Sequence, residues 1–465
     1  MRHCVLAVVA WLVLCGVVHA QLAPESARAV GETVRQVLRA SNVPSASIAI
    51  AKDGKVVFAE AYGLARLSPA VTATPAMRYK IGSISKQFTV AALLLLQEQG
   101  KLSIDDPVSK YFPALTRSGE ITVRQLLSHT SGYQDYYPLD YVAPFMRHDV
   151  QPMDILDGWA KIPLDFEPGT QWQYSNTNFV IAGLIAAKVA GMPLSKFLQQ
   201  RILTPLGMRS AIDVEERPLD PEDAQGHEFY ALGPAREAKP EGHGWVYATG
   251  ELAMTARDLS LWDISLMDGS LLKPESMRAL TTEQLLKGGT GTRYALGLSV
   301  KTLSGGHRRW YHSGASEGFL CWNAIYPDDH ISITVLTNST RREPMHDIAQ
   351  KIEDLLLAKA TDPGAAQALD EAKRLLRSLA SGRPDKQLMS TDLQAYFTPQ
   401  AVADFKASLQ AMGSLDGVAQ VDHLDRGGMV YRGFSMMSGG KALRINTFMM
   451  PDGKFSQFLI GPASE

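Results

Sequence analysis

Residues 81–96 read Ile81-Gly82-Ser83-Ile84-Ser85-Lys86-Gln87-Phe88-Thr89-Val90-Ala91-Ala92-Leu93-Leu94-Leu95-Leu96, and the run stops at Gly100. Apolar residues fall on every side of a helical wheel, which predicts a helix buried all round, the spine of its subdomain. Ser83 and Lys86 are three apart and share one face of the first turn. A buried helix start offers unpaired N–H groups and the positive end of the helix dipole, both suited to a developing oxyanion. A serine hydroxyl is a weak nucleophile until a base takes its proton, and a desolvated lysine has a lowered pKa suited to that task. An isolated S-x-x-K is common by chance, however, and an N-cap serine beside a surface lysine also explains it. The surrounding chain has to decide.

Upstream, Ser45 to Ala51 alternates small and apolar residues, Asp53-Gly54 makes a turn, and Lys55 to Tyr62 reads as the return strand of a hairpin. Far downstream, Arg309 to His312, Phe319 to Tyr326 and Ile331 to Thr337 read as three more strands. The chain between is helical and loop-like, with turn signals at Glu167-Pro168-Gly169 and Leu206-Gly207. Thr255 followed by Asp258 has the form of a capping box. This order predicts an α/β fold: an antiparallel sheet formed by both chain ends, with helices packed on it and a helical subdomain inserted. A cleft between subdomains is the natural place for a site.

A boundary is expected near Thr361-Asp362-Pro363-Gly364. Beyond it, Ala366 to Leu379 reads as a helix, and Thr398 before Pro399 as the N-cap of another. Strands are expected at Met429–Met437, Lys441–Met450 and Lys454–Ile460, with Leu443, Ile445, Thr447 and Met449 on one face. Residues 365–465 thus form a small α+β domain, and 21–360 the main one. The order of helices then curled sheet loosely resembles the cystatin-like or nuclear-transport-factor-like group.

The chain has 465 residues, 45% of them hydrophobic and 20% charged, which is the composition of a globular protein. With 46 Lys+Arg against 48 Asp+Glu, the formal charge is −2. Phosphate polyanions need clustered cations, so a nucleic acid is excluded as the main partner. At the N-terminus, Arg2 and His3 precede an apolar stretch from Cys4 to Val18, and Val18-His19-Ala20 ends as a signal-peptidase site does. The stretch falls short of the roughly 20 residues of a spanning helix. Residues 1–20 are therefore expected to be a signal peptide, the mature protein being periplasmic or secreted without a stable membrane anchor. An uncleaved anchor is the alternative. Of three cysteines only Cys321 would remain, so no internal disulfide is expected, and Cys321 reads as a buried strand residue.

Two further segments bear on the chemistry. Tyr174-Ser175-Asn176 follows the Pro-Gly turn, and on a loop side chains two apart can both enter a cleft as proton shuttle and amide donor. Trp310-Tyr311-His312-Ser313-Gly314-Ala315 ends a strand with a titratable ring, a hydroxyl and a glycine that lets a ligand approach the backbone. His129 reads as a packing residue that caps a turn, and His227 and His243 as surface loop residues. Aromatic residues at Tyr133, Tyr136, Tyr137, Tyr141, Phe145, Phe229 and Tyr230 either line an acyl pocket or pack their loops down.

In the order S-x-x-K, Y-x-N, H-x-G, the chain resembles the penicillin-recognising serine hydrolases, in the branch of class C β-lactamases, DD-peptidases and related esterases. Leu126-Leu127-Ser128-His129-Thr130-Ser131-Gly132, Tyr294-Ala295-Leu296-Gly297 and Thr249-Gly250-Glu251-Leu252 strengthen the likeness, which spans roughly residues 25–358. The resemblance implies a β-lactamase-like fold and an acyl-enzyme on Ser83, with Lys86 its hydrogen-bonded partner. It implies Tyr174 as general base and leaving-group acid, and Asn176 as binder of the substrate amide. His312 with Ser313 and Gly314 takes the place of the lactamase K-T-G, and N–H groups of Ser83 and Ala315 form the oxyanion hole. It implies no cofactor and no metal, and a small-molecule or peptide substrate.

A lysine at 312 would be a fixed cation for a substrate carboxylate, whereas a histidine, with an ordinary pKa near ~6.5, is only partly charged. Weaker carboxylate selection and weaker β-lactam turnover are therefore expected. A D-alanyl peptidase or esterase ranks first, ahead of a class C-type β-lactamase. Two other readings are a penicillin-binding sensor that acylates without turnover, and a function carried by the C-terminal domain docking to cell wall or protein.

Overall fold

In the computed structural model, residues 21–462 are described apart from 140, 232, 304, 358–363, 413, 414, 416, 439 and 440. The expected signal peptide, with Cys4 and Cys15, lies outside them. A helix that the sequence reading did not anticipate, α1 (Pro24–Ser41), comes first; proline sits in its first turn and Asn42, in the left-handed region, ends it. Next come β1 (Ser45–Lys52), β2 (Lys55–Leu67) and the short β3 (Ala70–Thr72). The remaining strands of the same sheet lie far along the chain: β4 (Ser299–Thr302), β5 (Arg308–Ser316), β6 (Phe319–Tyr326) and β7 (Ile331–Thr337).

The sheet order is β3-β2-β1-β7-β6-β5-β4, so both ends of the first unit meet at its centre, as expected. β1 runs antiparallel to β7 with Ile48 opposite Val335 and Ile50 opposite Ile333. Every residue of β6 and β7 is buried, which two-sided cover requires. Helix α2 (Lys86–Glu98) is enclosed all round, with residues 86–96 buried throughout. α3 (Asn176–Ala190) packs along α2, α4 (Ala256–Asp268) lies against β1 and β7, and α5 (Arg342–Leu356) packs on α1, β6 and β7. Fully buried leucines such as Leu93, Leu94 and Leu96 contribute up to ~1.5–3 kcal/mol each relative to exposure. Thr255 caps α4 by accepting from Asp258 N–H at 3.1 Å, but the expected capping box is only half formed, since the Thr255 N–H donates to Ser210 Oγ instead of Asp258. Among the described residues no single helix is long and apolar enough to cross a membrane.

The chain divides into two compact units, the first ending at Leu357; residues 302–307 group with the second. The second unit holds α6 (Ala365–Ser381) and α7 (Pro399–Met412), then β8 (Ala419–Arg426), β9 (Met429–Ser438), β10 (Lys441–Met449) and β11 (Phe455–Pro462) in that sheet order. Four strands stand where three were expected. The missed strand, β8, reads Ala-Gln-Val-Asp-His-Leu-Asp-Arg, too polar to signal a strand by itself. Leu443, Ile445, Thr447 and Met449 are all buried, and Thr398 Oγ1 accepts from Ala401 N–H at 3.2 Å, both as expected. This unit has its own core, which includes Leu375, Leu376, Phe434, Phe455 and Phe458.

Because the first unit also encloses its own core, a chain ending at residue 364 should fold on its own and unfold in a single cooperative transition. Thermal denaturation of that truncated chain checks this.

Candidate active site

The site forms where two helix starts meet. Ser83 lies on a 3₁₀ turn, Gly82–Ser85, that leads into α2, and Asn176 opens α3. Gly82 has φ +52°, a conformation open to glycine at little cost. A Cβ there would lie 2.5 Å from the Ala315 carbonyl oxygen, and one on Gly314 would lie 1.8 Å from that of Ile81. The 81–83 backbone is therefore pressed onto β5 at Gly314-Ala315, which brings Ser83 to the strand carrying His312. Leu252 ties the other side: its carbonyl accepts from Ile81 N–H at 3.0 Å and its N–H donates to Ser85 Oγ at 3.1 Å.

Ser83 Oγ receives contacts from two groups, Lys86 Nζ at 3.1 Å and the Tyr174 hydroxyl at 2.8 Å. Lys86 is fully buried, and its other two contacts are Asn176 Oδ1 at 2.8 Å and the Thr249 carbonyl at 2.7 Å. Burial lowers its pKa to about 7, although Asp135 and Glu251 pull upward. Asn176 Nδ2 is held by the Asp135 carboxylate, at 3.2 Å and 3.3 Å, so both ends of the Asn176 amide are already engaged. Tyr174 is half-buried in the cavity wall, and desolvation pushes its phenol above its ordinary value.

His129 is fully buried; its ring lies 4.3 Å from that of Tyr174, and its Nδ1 accepts from Ser175 N–H at 3.2 Å. Burial holds it well below the usual histidine range, so it is a neutral support for Tyr174. His312 is also buried and pushed down to about 4, first by desolvation and then by Lys86. The expectation of a partly charged ring is thereby corrected: at neutral pH His312 carries no charge. Its Nε2 lies 3.0 Å from the Tyr294 hydroxyl and its Nδ1 2.6 Å from the Ser313 carbonyl.

These groups open onto a cavity of about 930 Å³ lined by Ser83, Tyr174, Asn176, His312, Ser313 and Ala315, among others. Gly314, buried under Ile81, shapes the strand rather than the wall. Of the loop aromatics, Tyr137, Tyr141, Phe229 and Tyr230 line the cavity together with Trp172. Tyr133 and Tyr136 are buried in packing, and Phe145 meets Trp245 edge to face, so both alternatives hold, each for different residues. His227 is a correction: it is 1% exposed, with its N–H donating to the Gly318 carbonyl, because its loop is pressed under the β5–β6 turn. His243 is exposed, as expected.

A family model described as Beta-lactamase matches residues 30–357. The chain belongs to the beta-lactamase family. Protein flp of Staphylococcus aureus is 28% identical over 331 residues, 68% of this chain, and the chain spans 64% of that relative's length. Among solved structures, a D-stereospecific amidohydrolase from Streptomyces sp. is 27% identical with a TM-score of 0.61, covering 71% of this chain and 98% of its own. An octameric penicillin-binding protein homologue from Pyrococcus abyssi shares the fold, with a TM-score of 0.62 at 23% identity, over 93% of this chain and 98% of its own.

Within this beta-lactamase-family site, the motif reading missed Asp135, the Thr249 carbonyl and Tyr294. Asp135 carries no motif signal, since its place depends on the fold of the loop before Tyr136. The Thr249 carbonyl is a backbone atom, invisible to side-chain patterns. Tyr294 was quoted for its segment and given no role. The 81–83 contact with β5 gives a direct test. Gly314→Ala should cost ~1–3 kcal/mol of stability by overpacking and slow acylation, because Ser83 must move from its partners. Thermal denaturation and Ser83 labelling rates measure both.

Proposed function

We propose that the protein is an exported serine hydrolase that cleaves an amide or ester through an acyl-Ser83 intermediate, preferring D-alanyl peptides and other small amides and esters to β-lactams. The observation that carries this reading is the set of partners around Lys86. Two of its three contacts are carbonyl oxygens, which only accept. A neutral amine has two hydrogens for those carbonyls and one lone pair left, and the third partner is the Ser83 hydroxyl. With its pKa near about 7 the amine is available at neutral pH.

In the proposed sequence, Lys86 takes the Ser83 proton as Oγ bonds to the substrate carbonyl carbon, and the carbonyl oxygen becomes an oxyanion at the Ser83–Ala315 backbone. The scissile bond then breaks as Tyr174 gives its proton to the leaving nitrogen or oxygen. The Lys86 ammonium, which holds the proton taken from Ser83, returns it to the Tyr174 phenolate through a water in the cavity, because the acylated Ser83 Oγ no longer carries a proton. Water reverses these roles to release the acid. The resemblance makes Tyr174 the base, but its raised pKa suits a proton donor better, which favours this division of labour. Support for the substrate class comes from the aromatic cavity wall and from the likeness to a D-stereospecific amidohydrolase.

Intact-mass spectrometry with a penicillin should show an adduct on the native protein and none on Ser83→Ala; an adduct surviving that change would refute the reading. Acylation needs neutral Lys86, so its rate should rise with pH through about 7 and then level. A stopped-flow pH profile checks the sign. Tyr174→Phe should lower ester turnover by ~10²–10⁴-fold, read from steady-state rates.

A further inference from the structure

Tyr294 lies outside the catalytic set and directly against it. Its hydroxyl is 3.0 Å from His312 Nε2, and its ring packs at 5.9 Å from His312, 5.0 Å from His129 and 5.7 Å from Trp172. On the far side of the imidazole, Nδ1 is 2.6 Å from the Ser313 carbonyl. A carbonyl only accepts, so Nδ1 carries a hydrogen. A neutral ring then has its lone pair at Nε2, and the Tyr294 O–H is the donor to it.

We propose that Tyr294 is a positioning residue that locks His312 as the neutral Nδ1–H tautomer, so that the site selects leaving groups without a carboxylate. Primary amides and simple esters are then taken ahead of peptides ending in a free acid. This deepens the amide-and-ester reading above and rests on it, and it narrows the D-alanyl substrates of that reading to those whose leaving group carries no free carboxylate. With both ring nitrogens occupied, His312 has neither charge nor a spare N–H for an anion. The groups facing the ring agree: Lys86 on α2 disfavours a positive charge on the ring whenever it is itself protonated, while Tyr174, His129 and Tyr294 carry no charge. A hydrogen bond donated to the neutral form also disfavours protonation.

The test has two arms, run on the full mature chain. In the first, ¹⁵N-histidine NMR, with His312→Gln to assign the signal, should show a protonated Nδ1 and a bare Nε2 at pH 7. In Tyr294→Phe the titration should move up towards the ordinary histidine value. In the second, kcat/KM is compared for N-acyl-D-alanyl-D-alanine and its C-terminal amide. The native protein should favour the amide. His312→Lys should shift the ratio towards the acid by about tenfold, the scale of one hydrogen bond to a charged group. Tyr294→Phe should shift it the same way only at acidic pH, whereas a merely structural role would slow both substrates alike. An imidazolium or an Nε2–H tautomer at pH 7 overturns the proposal. So does a native preference for the acid, held by cavity cations such as Arg147 or Lys239. If no form cleaves either substrate, the amide-and-ester reading fails, while the NMR arm still decides the tautomer.

Discussion

The amine of Lys86 is sealed from water and touches three oxygens, on Ser83, Asn176 and Thr249. A lone ammonium in such a place is costly, and proteins answer by pairing it or by lowering its pKa. Here both happen in part, because Asp135 and Glu251 act at a distance while burial dominates. The rest of the site follows from keeping that amine in place. Asn176 is fixed by Asp135, the Thr249 carbonyl is brought up by the segment leading into Leu252, and Ser83 is set one turn before Lys86.

A second constraint is the contact of backbone on backbone between Ile81-Gly82 and Gly314-Ala315. Side chains larger than hydrogen at 82 or 314 have no room, so the turn bearing Ser83 and the strand bearing His312 are joined without intervening atoms. That close approach sets the spacing between Ser83, Lys86 and the strand bearing His312 to a precision that a side-chain contact would not hold, since side chains change rotamer more readily than paired backbone moves.

Much of the fold was legible because its signals are local. The all-round apolar run of α2, the turn at Asp53-Gly54 and the three late strands each declare themselves by period or turn chemistry. Strand β8 and helix α1 did not. The first is polar on both faces and gains its place by pairing with β9, a contact absent from its own sequence. The second is amphipathic but follows a stretch that reads as a leader, and its burial is supplied largely by α5. His227 looked like a surface loop residue because its cover comes from the β5–β6 turn, far along the chain, although it also pairs with Glu237 in a short two-stranded ribbon.

The sequence by itself determined the serine and lysine on one turn, the tyrosine and asparagine two apart, the strand with His312, and the family to which they belong. Those are facts of residue type and short spacing. Only the tertiary structure decided the protonation states, because these depend on desolvation and on partners distant in the chain. It left Lys86 near neutrality and Tyr174 a phenol, and it bound His312 between Tyr294 and the Ser313 carbonyl. A histidine at 312 can be a cation or a bare ring. Which one it is depends on how much water reaches it, and water is excluded by the packing of elements that meet only once the chain has folded.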